Sequence, residues 1–486
     1  MVKIMIRRSI PVVALCFLLS GMFALSAQAK GSSFSFTTFE VSSVVGTTCP
    51  GSSACTNGAA EPAIRADNAG NFYGTSENGL GAGTEAWKSS DGGKHFVAIP
   101  SPDQASQTNN TGFAPGGGDT DVATAPVKNA SGLYNVYAAS LSLANVDVST
   151  SADGGKTWTL NPLAATIPGD DREWVAADGA SKVCVSYHDV ATDNIDVNCS
   201  LDAGTAFTQL GDAIDANHAY LINNNEIGNL AIDPTTHYVY ETFSGIANAS
   251  EVACGEQGTC GYHTVWMGIS KDGGKTFTDV AVYTNPDTTV SYGHQFVNMS
   301  IDSAGNLYSV YSDNHNLFYS YSTNHGSNWS APVQVNTISG AQTAIEPWST
   351  AHGNGHLDIV WYGTSYYSSS TTPDNYPNSA SWYVDFAQNL SATKSGSHFT
   401  EQAVTPVVHM GGVCESGVTC TGNRDLYDDF GVAASPTTGL ASIIYSDDQY
   451  TNDANDPPRS GCTASTSNTS SCDHTSIATQ TGGSGI

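Results

Sequence analysis

The chain has 486 residues with 16 basic and 45 acidic side chains, a formal charge of −29, yet only 13% of its residues are charged. Such an acidic excess repels nucleic acid and anionic membrane surfaces, and both are excluded as partners. Forty-nine glycines, abundant Ser, Thr and Asn, and the absence of long helix-period stretches point to an all-β fold with many turns.

At the N-terminus Lys3, Arg7 and Arg8 form a basic start, Pro11 to Leu25 a mostly apolar stretch, and Ala27-Gln28-Ala29 a small-residue cleavage site. This pattern predicts a secretory signal over 1–29 and a mature domain over 30–486. No later segment offers the roughly 18 apolar residues of a membrane span. The expected product is secreted, extracellular or periplasmic, and monomeric. Without the signal, 13 basic residues face 45 acidic ones, for a charge of −32. Cys16 leaves with the signal, and the other ten cysteines fall into close pairs: 49 with 55, 184 with 199, 254 with 260, 414 with 420, and 462 with 472. Even number, short spacing and an export signal predict five local disulfides in preference to a zinc site.

Along the mature chain, apolar alternation broken by turns predicts seven hairpins, near 63–74, 119–140, 172–188, 228–243, 297–308, 346–362 and 429–446. Between them recurs a second signal, Ser-x-Asp-x-Gly-x-x-aromatic. It begins at Ser89, Ser151, Ser200 and Ser270, and again at Ser322 with Asn324 in place of Asp. Asp or Asn folds onto its own backbone, Gly supplies a positive φ, and the aromatic ring plugs back under the turn. Such a turn builds fold and carries no chemistry, so its aspartates are not site candidates.

These turns resemble the Asp-box, or BNR, repeat of the sialidase-like β-propeller superfamily. The resemblance implies a single β-propeller of four-stranded antiparallel blades, with each box joining the third and fourth strands. Seven hairpins favour seven blades, with six as the alternative. Thr475 to Gln480 supplies a third strand for the last blade, and Phe34 to Val45 is left to close it as the fourth.

In such a meander the boxes share one face, and the second-to-third loops and the links between blades share the other. Long segments at 100–118, 245–263, 364–381, 407–423 and 448–474 crowd that loop face, with four of the expected disulfides, and make it the expected binding face. Starts of the innermost strands ring its central opening and are polar. They include Glu61 and Arg65, Asp119 and Asp121, Asp171, Arg172 and Glu173, Glu226, His294 and Gln295, Glu346, and Arg424 with Tyr427, Asp428 and Asp429. His188 ends a second strand nearby.

Converging carboxylates can serve a glycosidase, one protonating the leaving oxygen while another acts as nucleophile or base. The candidate acids and bases are Asp119, Asp121, Asp171, Glu226 and Glu346. The same oxygens suit calcium as a structural ion, although the reading requires no cofactor and names no metal ligands. The superfamily further implies an arginine triad for a substrate carboxylate and a late tyrosine nucleophile. Arg65, Arg172 and Arg424 are the arginines near strand starts, and Tyr427 or Tyr445 the tyrosine. His188 and His294 complete the substrate-binding set. The Arg-Ile-Pro element of sialidases is absent, with Ala63-Ile64-Arg65-Ala66 in the nearest place.

Trp174, Trp348 and Trp382 are expected between blades, and Tyr366, Tyr367 and Tyr376 against sugar rings. His352-Gly353-Asn354-Gly355-His356 is expected to be a turn on the box face. The expected activity is that of a sialidase-like glycoside hydrolase acting on extracellular glycans. The alternative is a non-catalytic propeller that binds glycan or protein.

Overall fold

The computed structural model describes residues 34–41, 60–103, 116–142, 145–165, 169–189, 191–415, 420, 424, 426–449 and 473–486, with backbone only at 40, 60 and 169–171. The expected signal, the 49/55 and 462/472 cysteine pairs and the side chain of Asp171 lie outside the described residues.

Seven four-stranded antiparallel sheets follow one another along the chain. Blade 1 is Ala60–Ala66, Phe72–Glu77, Glu85–Ser89 and Val97–Ala98. Blade 2 is Thr120–Lys128, Tyr134–Leu141, Val146–Ser151 and Thr159–Asn161. Blade 3 is Gly169–Asp178, Lys182–Asp189, Ile195–Ser200 and Phe207–Asp212. Blade 4 is Asn225–Ile232, Val239–Gly245, Thr264–Ser270 and Thr278–Thr284, and blade 5 is Asn298–Ile301, Leu307–Ser312, Leu317–Ser322 and Val333–Gln334. Blade 6 is Thr343–His352, His356–Thr364, Ser381–Asn389 and Thr400–Ala403, with His409–Met410 also paired to its third strand. Blade 7 is Gly431–Ala434, Ala441–Asp447 and His474–Gly482, closed by Ser35–Glu40 as its fourth strand. The innermost strands pack in a ring, each against the next and blade 7 against blade 1. The seven-bladed propeller and its N-terminal closure are therefore as expected.

Burial explains the strand sequences. Middle strands such as Val239–Gly245 and Thr264–Ser270 are buried at every residue because blades pack on both of their faces, so alternation is lost there. The outermost strand Thr278–Thr284 is only partly covered, with Asp279 and Val282 buried and the rest half-buried or exposed, because it meets water on one side.

The Ser-x-Asp-x-Gly turns have one geometry in blades 1 to 5. In blade 1, Gly93 N donates to Ser89 Oγ at 2.9 Å, Ser89 Oγ donates to Asp91 Oδ1, and His95 N donates to the same Oδ1 at 3.0 Å. Equivalent bonds end on Ser151, Ser200, Ser270 and Ser322. Gly93 has φ +88°, and a Cβ there would collide with Ser442 Oγ of blade 7, so glycine is needed for conformation and for close approach. The tight turn also offers carbonyls to the preceding blade. Thr479 Oγ1 donates to Gly93 O, Lys88 Nζ to Gly154 O, Thr150 Oγ1 to Ala203 O, and Lys182 Nζ to Gly273 O, at 2.8 to 2.9 Å. Four of the five turns thus latch their blade to a neighbour.

Three of the expected disulfides are described: Cys184–Cys199, Cys254–Cys260 and Cys414–Cys420. The first joins directly opposed residues of blade 3. Residues 352–356 form the first hairpin turn of blade 6, as expected. Trp174, Trp348 and Trp382 are buried core. Tyr376 departs from its expected role. It is 4% exposed and packs on Tyr366 and Trp382 instead of facing solvent, which leaves Tyr367 as the exposed ring of that insertion. Among the described residues no helix is long and apolar enough to cross a membrane.

Candidate functional site

The centre of the ring is filled by a stack of side chains. Arg172 lies 4.3 Å over the Trp174 ring and 5.3 Å from that of Phe296, Trp174 meets Trp348 at 4.9 Å, and Arg65 lies 5.5 Å over Trp348. These come from the starts of innermost strands, so the stack separates the loop-face opening from a cavity of about 340 Å³ toward the box face. Alanines such as Ala66, Ala123, Ala231 and Ala433 line that cavity.

On the loop side Arg172 is 1% exposed and holds three carboxylates. Its Nη1 meets Glu61 Oε2 at 2.8 Å and Asp119 Oδ2 at 3.6 Å, and its Nη2 meets Asp429 Oδ2 at 2.6 Å. Arg424 Nη2 reaches the other Glu61 oxygen at 3.1 Å and Asp428 Oδ2 at 2.6 Å, and its guanidinium lies 5.4 Å over the Tyr427 ring. Arg65 belongs elsewhere. It pairs with Asp121 at 3.1 Å, and Asp121 also accepts Val175 N at 3.0 Å. Arg172 and Arg424 thus meet on Glu61, while Arg65 lies on the far side of the plug, and all three guanidiniums are matched by protein carboxylates.

Three residues at this opening hold backbone that side chains seldom adopt: Glu61 at φ +46°, Glu346 at φ +50° and Tyr427 at φ +63°. Glu61-Pro62 and Glu346-Pro347 occupy equivalent irregularities, where the pairing skips from Ala60 to Ala63 and from Ile345 to Trp348. A bulge re-aims the side chain it carries, and strain of this kind collects at working sites. Glu346 N donates to Gln295 Oε1 at 2.6 Å, which helps to hold that conformation. The Glu346 carboxyl is 3% exposed, has no hydrogen-bond partner on either oxygen among the described residues, and feels the charges of Asp428, Glu415, Asp429 and Arg424.

Burial dominates the electrostatics. It holds the Glu346 pKa well above the ordinary carboxylate range, reinforced by Asp428 and Glu415. Glu61 is likewise raised by burial and by Asp119, against the pull of Arg172. Glu77 and Asp429 also shift upward through burial; Asp119 raises Glu77 further against the pull of Arg424 and Arg172, and Arg172 opposes the rise of Asp429. Burial raises Asp121 too, with Arg65 opposing.

Other expected site residues stand around the rim. Burial brings Glu226 to about 7, with His188 opposing. His188 Nε2 is 2.8 Å from Asn225 Oδ1. Burial lowers His294, and Asp374 opposes that shift. Tyr427 is raised by burial and by Asp473, its hydroxyl 3.5 Å from Asp473 Oδ2. Glu61, Asp428 and Asp429 also belong to the cluster; the sequence places them among the polar strand starts but not among the candidate acids and bases, and Glu77 and Glu415 were missed. The repeated Glu-Pro at 61–62 and 346–347 is a local signal for Glu61 and Glu346 alone.

Glu61, Glu77 and Asp119 bring oxygens within 4.8 Å of one another, the spacing of ligands about one cation. Both Glu61 oxygens already accept from guanidinium nitrogens, so calcium there would sit against two positive charges, a poor fit.

Fold and site together define a seven-bladed propeller with a buried carboxylate–arginine cluster at its loop-face opening. No protein-family model matches the sequence, and no curated protein sequence matches it. Among solved structures, the Penicillium chrysogenum alpha-L-arabinanase complexed with arabinobiose is similar at TM-score 0.44 and 12% identity, over 91% of this chain and 98% of that one. The alpha-L-arabinofuranosidase of Fusarium graminearum in complex with arabinobiose is similar at TM-score 0.46 and 11% identity, over 91% and 97%. The Aleuria aurantia lectin in complex with Fucalpha1-6GlcNAc is similar at TM-score 0.42 and 11% identity, over 72% and 96%. Likeness at this level says nothing of what this chain binds.

Proposed function

We propose that the protein is a secreted, monomeric glycoside hydrolase whose site is the loop-face opening, with Glu346 as the proton donor. The observation that carries this reading is the Glu346 carboxyl, buried, without a partner among the described residues and held on a strained bulge at the opening. A carboxyl kept protonated by burial is what a leaving glycosidic oxygen requires. Asp429 is the second group. Arg172 holds its Oδ2 at 2.6 Å, and Oδ1 has no hydrogen-bond partner among the described residues. In hydrolysis the Glu346 proton passes to the glycosidic oxygen as the bond from the anomeric carbon breaks. Water adds to that carbon and gives its proton to Asp429.

The resemblance of the five turns to the Asp-box supports the glycan reading, and the export signal expected over 1–29 agrees with it. Sialic acid is not the substrate we propose, because each of the three guanidiniums already faces carboxylates of the protein. The test is product release from a panel of neutral, cationic and anionic polysaccharides, followed by mass spectrometry. Release of a defined sugar by the wild type and none by Glu346→Gln is expected. Silence of the folded wild type across the panel would favour the non-catalytic binding propeller.

A further inference from the structure

Among the described residues, five buried carboxyl oxygens around Glu346 have no hydrogen-bond partner. They are Glu346 Oε1 and Oε2, Glu415 Oε2, Asp428 Oδ1 and Asp429 Oδ1. Among the same groups and Arg424, the one orphaned donor is Arg424 Nε. Orphaned buried acceptors are costly, and acceptors gathered in one place call for a ligand that brings donors.

We propose that the opening selects a glycan bearing a free amine, whose ammonium sits between Asp428 and Glu415 while its glycosidic oxygen meets Glu346. This rests on the glycan reading above and names the class of sugar it requires. An ammonium has three N–H donors, no acceptor and a positive charge. A hydroxyl brings one donor and no charge, and a carboxylated sugar would add an anion to an acidic cluster. Arg424 pairs with Glu61 and Asp428, and Arg172 with Asp429, but among the described residues no cationic side chain pairs with Glu346 or Glu415.

A metal ion fits these acids less well. Among the described residues, Glu346, Glu415, Asp428 and Asp429 are not among the groups whose ligand atoms come within 4.8 Å of one another. One ion cannot gather them, whereas an amine on a sugar ring can engage two while the ring spans the rest.

The inference carries a proton signature. Charged or titratable groups facing Glu346 are Asp428, Glu415, Asp429 and Arg424, with the Tyr362 phenol alongside. Burial, then Asp374, holds Glu415 above the ordinary carboxylate range, and burial does the same for Asp429. A bound ammonium favours their charged forms, so binding releases protons and tightens as pH rises.

The experiment is calorimetry on the full chain carrying Glu346→Gln, which prevents turnover. The probes are a fully deacetylated glucosamine oligomer, its N-acetylated counterpart, a sialylated oligosaccharide and calcium chloride. The amine oligomer is expected to bind at least tenfold more tightly than the acetylated one, and to weaken with salt. Its binding enthalpy should vary with the ionisation heat of the buffer in the direction of proton release. Adding either Asp428→Asn or Glu415→Gln should bring the two oligomers within about twofold of each other. Equal binding of amine and acetylated oligomers would overturn the inference and leave the glycan reading standing. Binding of calcium with no binding of any sugar would overturn both.

Discussion

Arg172 Nη1 donates to Glu61 Oε2 at 2.8 Å, joining blades 1 and 3 across 111 residues of sequence with both side chains 1% exposed. Breaking a buried pair by removing one partner costs about 3–5 kcal/mol, because the other charge stays behind. Arg172→Met strands Glu61 and Asp429 together and is expected at or above that range in urea unfolding. Glu61→Gln should cost less, since Arg172 keeps Asp429. The double variant should fall short of the sum of the singles, as coupled pairs do.

Glu346→Gln separates function from stability. Loss of a proton donor costs about 10²–10⁴-fold in turnover. The amide brings its own donors into a space crowded with unpartnered acceptors, so urea stability should be unchanged or higher. A fall in stability with activity intact would assign Glu346 to the fold.

The pH dependence of stability has a definite sign. Burial, followed by Asp103, raises Asp147 to about 8, and burial, followed by Glu401, raises Asp385 to about 8. An unfolded Asp titrates near about 4. The folded state therefore keeps protons that the unfolded chain gives up between these values. That stability is full below about pH 4 and is lost as pH rises to 8. The turn residues Asp91 and Asp272 work the other way. Desolvation is opposed by stronger hydrogen bonds, from His95 to Asp91 and from Thr276 and Ser270 to Asp272, which bring both to about 2. Their contribution is present above pH 4 and is lost as pH falls through 2. Urea midpoints should peak on the acidic side of neutrality, and Asp385→Asn should flatten the decline toward pH 8.

Cys184 and Cys199 oppose each other in register, 15 residues apart. In the chain-entropy account a loop of that size is worth about 3 kcal/mol. Cys184→Ala with Cys199→Ala should lower unfolding free energy by up to that amount in non-reducing urea. Adding reductant should then change the double variant less than the parent.

Ser35–Glu40 pairs along His474–Gly482 and covers the last open edge of blade 7. Deleting 34–41 exposes the backbone donors and acceptors of that edge, a template for pairing between molecules. Light scattering should show self-association of the deletion variant at concentrations where the parent is monodisperse.

Blades were legible in the sequence because their signals are local. Ser89, Asp91 and Gly93 specify one turn within five residues, and the same bonds recur wherever the pattern does. The expected blade positions and the Cys184–Cys199, Cys254–Cys260 and Cys414–Cys420 pairs follow from spacings just as short. The site was legible only as a list of polar strand starts. Which arginine meets which acid depends on how blades 1, 3 and 7 turn about the axis, so Arg172 and Arg424 converge on Glu61 while Arg65 goes to Asp121. That Glu346 lacks a partner depends on every neighbour at once, and no spacing encodes it. Tyr376 was misplaced for a related reason, because a loop longer than its span folds its own aromatics inward, here onto Trp382.

The stack of Arg172, Trp174, Trp348 and Arg65 lies across the centre of the ring. Among the described residues it stands in the way of a polymer threading through the disk. Under the hydrolysis proposed above, a plugged centre would favour the end of a chain over its middle, so a long substrate would be shortened from its tip.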